Sequence, residues 1–229
     1  IVQHPLTRFV NFTGSKEVGL RISQKAAEVS EGQIWIKRVV AEMGGKNAII
    51  VDSSADLKRA AAGIANSAFS FQGQKCSACS RAVVLSDVYD AFVEEIVACA
   101  KELKENQGSG RDNLPMGPVI NQSAFDRISG YIETARKEGT IVFGGNYDDS
   151  KGFYIEPTVV RDITKDAVIA KEEIFGPVLA VIRVDSFDEA LEVANGTEYG
   201  LTGSVYTEDR EHIQKAKVEF HVGNLYFNR

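Results

Sequence analysis

Phe69-Ser-Phe-Gln-Gly-Gln-Lys-Cys-Ser-Ala-Cys-Ser-Arg81 lies between an alanine-rich helical pattern and the apolar run Ala82 to Leu85. The pattern before it carries Leu57, Ala61, Ile64, Ala65 and Ala68 at helical spacing. Gly73 and Gln74 interrupt that spacing, which predicts Cys76 on a turn leading from a helix toward a strand. A thiol on such a turn is open to a substrate. Lys75 and Arg81 are cationic neighbours, a setting that favours thiolate, the nucleophilic form. Two other readings stand beside this one. An isolated cysteine is often a small core residue. Cys76 and Cys79 also form a Cys-x-x-Cys pair, the spacing of a dithiol redox motif, although that motif ordinarily opens a helix and here an apolar run follows. A structural zinc site needs four ligands, and Cys99, His4, His212 and His221 are not spaced to supply the rest, so no metal is expected.

Outward from that turn, helical and strand-like patterns alternate. Arg8 to Thr13, Ile34 to Ala41, Asn47 to Asp52, Tyr154 to Val160, Leu179 to Val184, Tyr199 to Tyr206 and Val222 to Phe227 read as strands, with Ile141 to Phe143 as a shorter one. Helices are expected after Ser15, after Ser53 and Ser54 as caps, over Val88 to Lys104, Phe125 to Lys137, Phe187 to Ala194 and Arg210 to Lys217. Asn106 to Pro118 reads as a loop. The alternation predicts an α/β fold with a largely parallel sheet.

The chain has 229 residues, 44% hydrophobic and 25% charged, which suits a globular protein. A net charge of -6 without a basic stripe argues against nucleic acid or an anionic membrane as partner. No apolar run approaches the roughly 20 residues of a membrane span. Three cysteines without framework spacing suggest a reducing, cytoplasmic compartment.

Two further junctions carry glycines, and at the first of them the backbone could approach a ligand. Gly14-Ser15-Lys16-Glu17-Val18-Gly19 is a strand-turn-helix, and free N–H groups at such a helix start bind phosphate. By spacing alone an ordinary turn explains it equally well. Glu42-Met43-Gly44-Gly45-Lys46 places an acid before paired glycines, the pattern of a sharp turn or a domain crossing.

Taken together, Phe12-Thr-Gly-Ser15, Glu42-Met-Gly-Gly-Lys46, Phe69-x-x-x-Gly73-Gln74-x-Cys76 and Glu173-x-Phe175-Gly-Pro-Val178 resemble the signature set of the aldehyde dehydrogenase superfamily, in that family's order. The 34 residues from Glu42 to Cys76 resemble its separation of base and nucleophile. The flanks Gln33 to Arg38, Gln74 to Arg81 and His221 to Arg229 are similar to the branch that oxidises L-glutamate γ-semialdehyde, the open form of 1-pyrroline-5-carboxylate, to glutamate. The resemblance implies an aldehyde dehydrogenase-like fold, with residues 1–43 as the end of a Rossmann-type NAD-binding domain and 44–229 as a catalytic thiol domain. It implies Cys76 as nucleophile and Glu42 as the base that activates the hydrolytic water. It assigns NAD to Gly14, Ser15, Gly19, Glu173 and Phe175, and substrate contact to Ser77. It implies that the chain is a piece of a longer, homo-oligomeric enzyme and is inactive alone. A non-catalytic module, a thiol-redox protein and a dehydrogenase of another aldehyde remain as alternatives.

Overall fold

A computed structural model describes residues 1–109 and 114–229, and the chain divides into two compact units, Ile1–Gly44 and Gly45–Arg229.

The first unit is a strand–helix–strand. Strand β1 (Phe9–Thr13) runs parallel to β2 (Arg38–Glu42), in register from Phe9 opposite Arg38 to Thr13 opposite Glu42. Helix α1 (Lys16–Ala27) connects them, and the Ser15 hydroxyl caps it by accepting from the Val18 N–H at 3.4 Å. β2 begins at Arg38 and not at Ile34. The chain first turns at Ser30–Gln33, and Trp35 donates its indole N–H to the Thr7 carbonyl, under the Arg8 guanidinium.

The second unit is built on a seven-stranded sheet in the order β11-β10-β3-β4-β9-β8-β5. Its strands are β3 (Asn47–Val51), β4 (Cys79–Leu85), β5 (Thr140–Phe143), β8 (Thr158–Arg161), β9 (Val178–Val184), β10 (Thr202–Tyr206) and β11 (Asn224–Phe227). Every pairing is parallel except the edge pair β5–β8. A small antiparallel ribbon, β6 (Tyr147–Asp148) with β7 (Tyr154–Ile155), stands apart from it.

Helices cover both faces, so the central strands are apolar on both sides. In β3 the alternation sends Ile49 and Val51 to one core and Ala48 and Ile50 to the other. The first core is closed by α2 (Leu57–Phe69) and α3 (Tyr89–Glu105). The second is closed by α4 (Gln122–Glu138), the short α5 (Val168–Lys171), α6 (Phe187–Asn195) and α7 (Arg210–Glu219).

Three local expectations are corrected. Asp56, not Ser53 or Ser54, caps α2, accepting from the Arg59 N–H at 3.1 Å; the two serines donate to Asp87 and Asp52. The stretch Tyr154 to Val160 is two strands, because Pro157 has no N–H to give a ladder. In the expected loop Asn106 to Pro118, Gln107 and Met116 form a bridge, and residues 110–113 lie outside the described residues.

Lys46, at the entry to β3, is 1% exposed, and its ammonium has no hydrogen-bond partner among the described residues. Burial pushes its pKa down from 10.5 to about 7. An unfolded lysine keeps the ordinary value, so the unfolded chain binds the extra proton between about pH 7 and 10.5. Stability therefore rises with pH through that window, and the penalty is fully present below it. Lys46→Met is expected to stabilise the fold at pH 7 by on the order of a few kcal/mol, seen as a higher melting temperature, and to stabilise it far less at pH 10. Thermal unfolding of both proteins at the two pH values checks this.

Candidate active site

The end of α2 is unwound by three successive left-handed residues, Phe71 (φ 58°), Gln72 (φ 57°) and Gly73 (φ 64°). Only the third is a glycine. A Cβ on Gly73 would collide with the carbonyls of Gly176 and Ala68. This reversal releases the chain into the turn that carries Cys76 and Ser77, closed by the Ala78 N–H donating to the Lys75 carbonyl at 3.1 Å. Cys76 is partly exposed there, one turn before β4.

The other thiols are placed differently. Cys79 is buried, its thiol donates to the Arg81 carbonyl at 3.5 Å, and burial pushes its pKa up to about 12. Cys99, on α3, is also raised by burial and by the carboxylates of Glu102 and Glu95. All three cysteines are free. Arg81 does not serve Cys76 as its position in sequence suggests. It is 3% exposed, and its guanidinium donates to the carbonyls of Lys46, Val193 and Ala194. The cation near Cys76 in sequence is thus a structural tie between β4 and the end of α6.

The turn is flanked by two hollows. One is small and is lined by Gly45, Lys75, Ser80, Glu173, Phe175 and Gly176. In it a Glu173 oxygen accepts from the Gly45 N–H at 2.9 Å. Phe175 sits at φ 52°, a left-handed conformation that is costly for a bulky side chain and marks a place where the surroundings dictate the backbone. The other hollow is an open cleft of about 650 Å³ that includes Ser77, Lys75, Asn66, Ser67, Arg59 and Thr202 in its walls. Lys75 borders both. Cys76, Ser77, Glu173 and Phe175 are thus brought to one region of the second unit.

In the first unit, Gly14, Ser15 and Glu42 share one end of the β1–β2 pair. Glu42 is the exposed last residue of β2, and its carbonyl accepts from the Gly14 N–H at 3.1 Å. The two glycines have packing reasons of their own. A Cβ on Gly14 would strike the Phe12 ring, and one on Gly19 would strike Met43. The sequence reading gave Gly45 a place in a sharp turn and Asn47 a place in a strand, and counted neither among the site residues. Paired glycines before a strand were the available signal for the first, and an amide beside them has none.

Alkylation near neutral pH, mapped by mass spectrometry, is expected to label Cys76 first, Cys99 later and Cys79 last. Labelling of Cys79 ahead of Cys76 in the folded chain would contradict this placement.

The pattern of the aldehyde dehydrogenase family matches residues 1–229. The chain is 56% identical over 229 residues to 1-pyrroline-5-carboxylate dehydrogenase of Bacillus mycoides (strain KBAB4), covering all of this chain and 44% of that protein. Its fold matches a solved 1-pyrroline-5-carboxylate dehydrogenase from Thermus with bound NAD at a TM-score of 0.96 and 50% identity, again over 44% of that chain. It also matches proline utilization A from Bdellovibrio bacteriovorus, inactivated by N-propargylglycine, at 0.95 and 48%, over 24% of that chain. The chain thus spans less than half the length of the curated relatives it matches. With its α/β fold and a pattern match along its whole length, the chain belongs to the aldehyde dehydrogenase family.

Proposed function

We propose that the protein to which this chain corresponds oxidises L-glutamate γ-semialdehyde to glutamate with NAD, through a covalent intermediate on Cys76. The observation that carries the reading is Cys76 itself, partly exposed on a short turn between two hollows, one bordered by Glu173 and Phe175 and the other by Ser77. The identity of over half the residues to relatives of that name supports the choice of substrate.

The residues present fit a dinucleotide. Helix α1 opens on a tight turn held by Gly14 and Ser15, and a helix start of this kind attracts phosphate. One Glu173 oxygen is engaged by Gly45, which leaves the second to accept from ribose hydroxyls. Gly14, Ser15 and Gly19 would meet the pyrophosphate, and Glu173 and Phe175 the nicotinamide end. NAD, when bound, supplies the hydride acceptor.

The steps of this chain's own residues follow. The Cys76 thiolate attacks the aldehyde carbon, a C–S bond forms, and the carbonyl oxygen becomes the oxyanion of a thiohemiacetal. The Cys76 backbone N–H is a donor available to that oxygen. After oxidation a thioester remains on Cys76. The Glu42 carboxylate takes a proton from water, the hydroxide adds to the thioester, and collapse releases the carboxylic acid and restores the thiolate. Ser77, on the side of the larger cleft, contacts the rest of the substrate.

In the full-length enzyme, Glu42→Gln is expected to slow thioester hydrolysis about 10²–10⁴-fold while leaving the first burst of NADH largely intact. Single-turnover kinetics separate the two, and an unchanged steady-state rate removes Glu42 from the mechanism. The 229-residue chain alone is expected to show a labelable Cys76 without turnover, because hydride transfer demands close positioning. The test is NADH absorbance with L-glutamate γ-semialdehyde and saturating NAD. Turnover in the ordinary range of about 1–10³ per second would overturn that expectation.

A further inference from the structure

Asn47 is 5% exposed at the start of β3, and its side-chain amide is fully committed. Its Nδ2 donates to the Cys76 carbonyl at 2.7 Å and to the Ala78 carbonyl at 2.8 Å. Its Oδ1 accepts from the Thr202 N–H at 3.0 Å, at the start of β10. One amide therefore joins three segments, and two of its three bonds go to the turn that carries the candidate nucleophile.

The local ladder shows why a side chain is needed there. Asn47 pairs with Cys79 but Ala48 pairs with Arg81, so the β3–β4 register shifts by one residue and Ser80 is left over. At such a bulge the backbone does not supply the regular bonds, and the bulged strand is re-aimed. Before Cys79 there is no strand at all. Among the described residues, the other ties of the turn are the Ala78 to Lys75 bond and the Cys79 N–H donating to the Ser67 hydroxyl at 3.1 Å. Neither of them reaches the Cys76 carbonyl. Gly45 closes the other side, because a Cβ on it would collide with the Cys76 carbonyl and with the Asn47 amide. The Cys76 carbonyl is therefore held in one orientation by a donor and a steric wall.

We infer that Asn47 is the positioning residue of the nucleophile: its amide fixes the Cys76 peptide, and through it the direction and accessibility of the thiol. The inference rests on the reading of Cys76 as nucleophile. Its test is made on the thiol directly, without NAD or aldehyde, so the clamp can fail while the proposed reaction stands, and the reverse.

The experiment compares the wild-type chain, Asn47→Ala and Asn47→Asp. Iodoacetamide labelling of Cys76 is followed from pH 6 to 10 by mass spectrometry, with Cys79 as the internal report of folding. Asn47→Ala is expected to lower the Cys76 rate by roughly fivefold or more across the profile, the scale of one lost hydrogen bond, with Cys79 still protected. Asn47→Asp keeps the shape and the Thr202 bond but turns acceptor against acceptor, and is expected to lower the rate at least as far. A Cys76 profile that superimposes on the wild type, or rises, while Cys79 stays protected overturns the inference. So does labelling of Cys79 together with Cys76, because Asn47 would then hold the sheet and not the turn. A measurement on the unmutated chain avoids any folding defect. Both Asn47 Nδ2 protons are bonded, so both are expected to exchange slowly in NMR, and their resonances are expected to shift when Cys76, but not Cys99, is alkylated. Fast-exchanging protons, or resonances indifferent to Cys76 alkylation, overturn it equally.

Discussion

The constraint on which the candidate site rests is the approach of Gly45 to the peptide of Cys76, where no side chain fits between them. The arrangement around the turn depends on it. Glu173 reaches across from the segment before β9 to bind the Gly45 N–H, and Asn47, two residues along, takes the Cys76 carbonyl. Gly73 is subject to the same kind of limit from the other side, against the Gly176 carbonyl. Two glycines thus let four stretches of backbone converge at the ends of β3 and β4. Loops positioned by a rigid sheet are where folds place reactive groups, because the sheet fixes the strand ends and the loops remain free to differ. Here the Cys76 thiol lies on the loop that enters β4, and the neighbouring strand entry binds the Cys76 carbonyl.

A second consequence concerns charge. Lys46 and Arg81 are both buried beside this convergence, and they are handled in opposite ways. Arg81 is given backbone carbonyls from β3 and α6, which offsets the cost of taking a guanidinium out of water. Lys46 has no such partner, and its amine gives up its affinity for a proton instead. A guanidinium cannot take that second course, since it stays charged in proteins. The choice of residue at each position follows from how many acceptors the strand ends can offer.

Much of the fold was legible because both faces of the parallel sheet are buried. The stretches Ala48 to Val51 and Val178 to Ile182 are then short continuous apolar runs, bounded by polar or proline punctuation. Boundaries were lost where a side chain outside the pattern decided them. Trp35 and the turn before it delayed β2, Asp56 took the cap from the serines, and Pro157 cut one strand into two. The turn carrying Cys76 was legible from Gly73 and the break in helical spacing. Arg81 was misread because adjacency in sequence says nothing of direction: on β4 it points away from the turn and into the core behind Lys46. Asn47 left no trace in the pattern, because a buried amide in an apolar strand resembles any tolerated polar residue until its partners are seen.

The sheet's order carries a consequence for the history of the chain. β3 lies in the middle of the sheet, but its neighbour β10 is made about 150 residues after it, and the two are tied by the ladder, by Asn47 to Thr202 and by Asp52 to Thr207. At a synthesis rate of roughly 5–20 residues per second, β3 waits on the order of ten seconds or more after it emerges before that partner exists. Throughout that interval one whole edge of Asn47–Val51 has unpaired backbone, and the strand is apolar on both faces. A strand buried on both faces in the finished sheet is therefore, during synthesis, an apolar edge open to pairing with another chain.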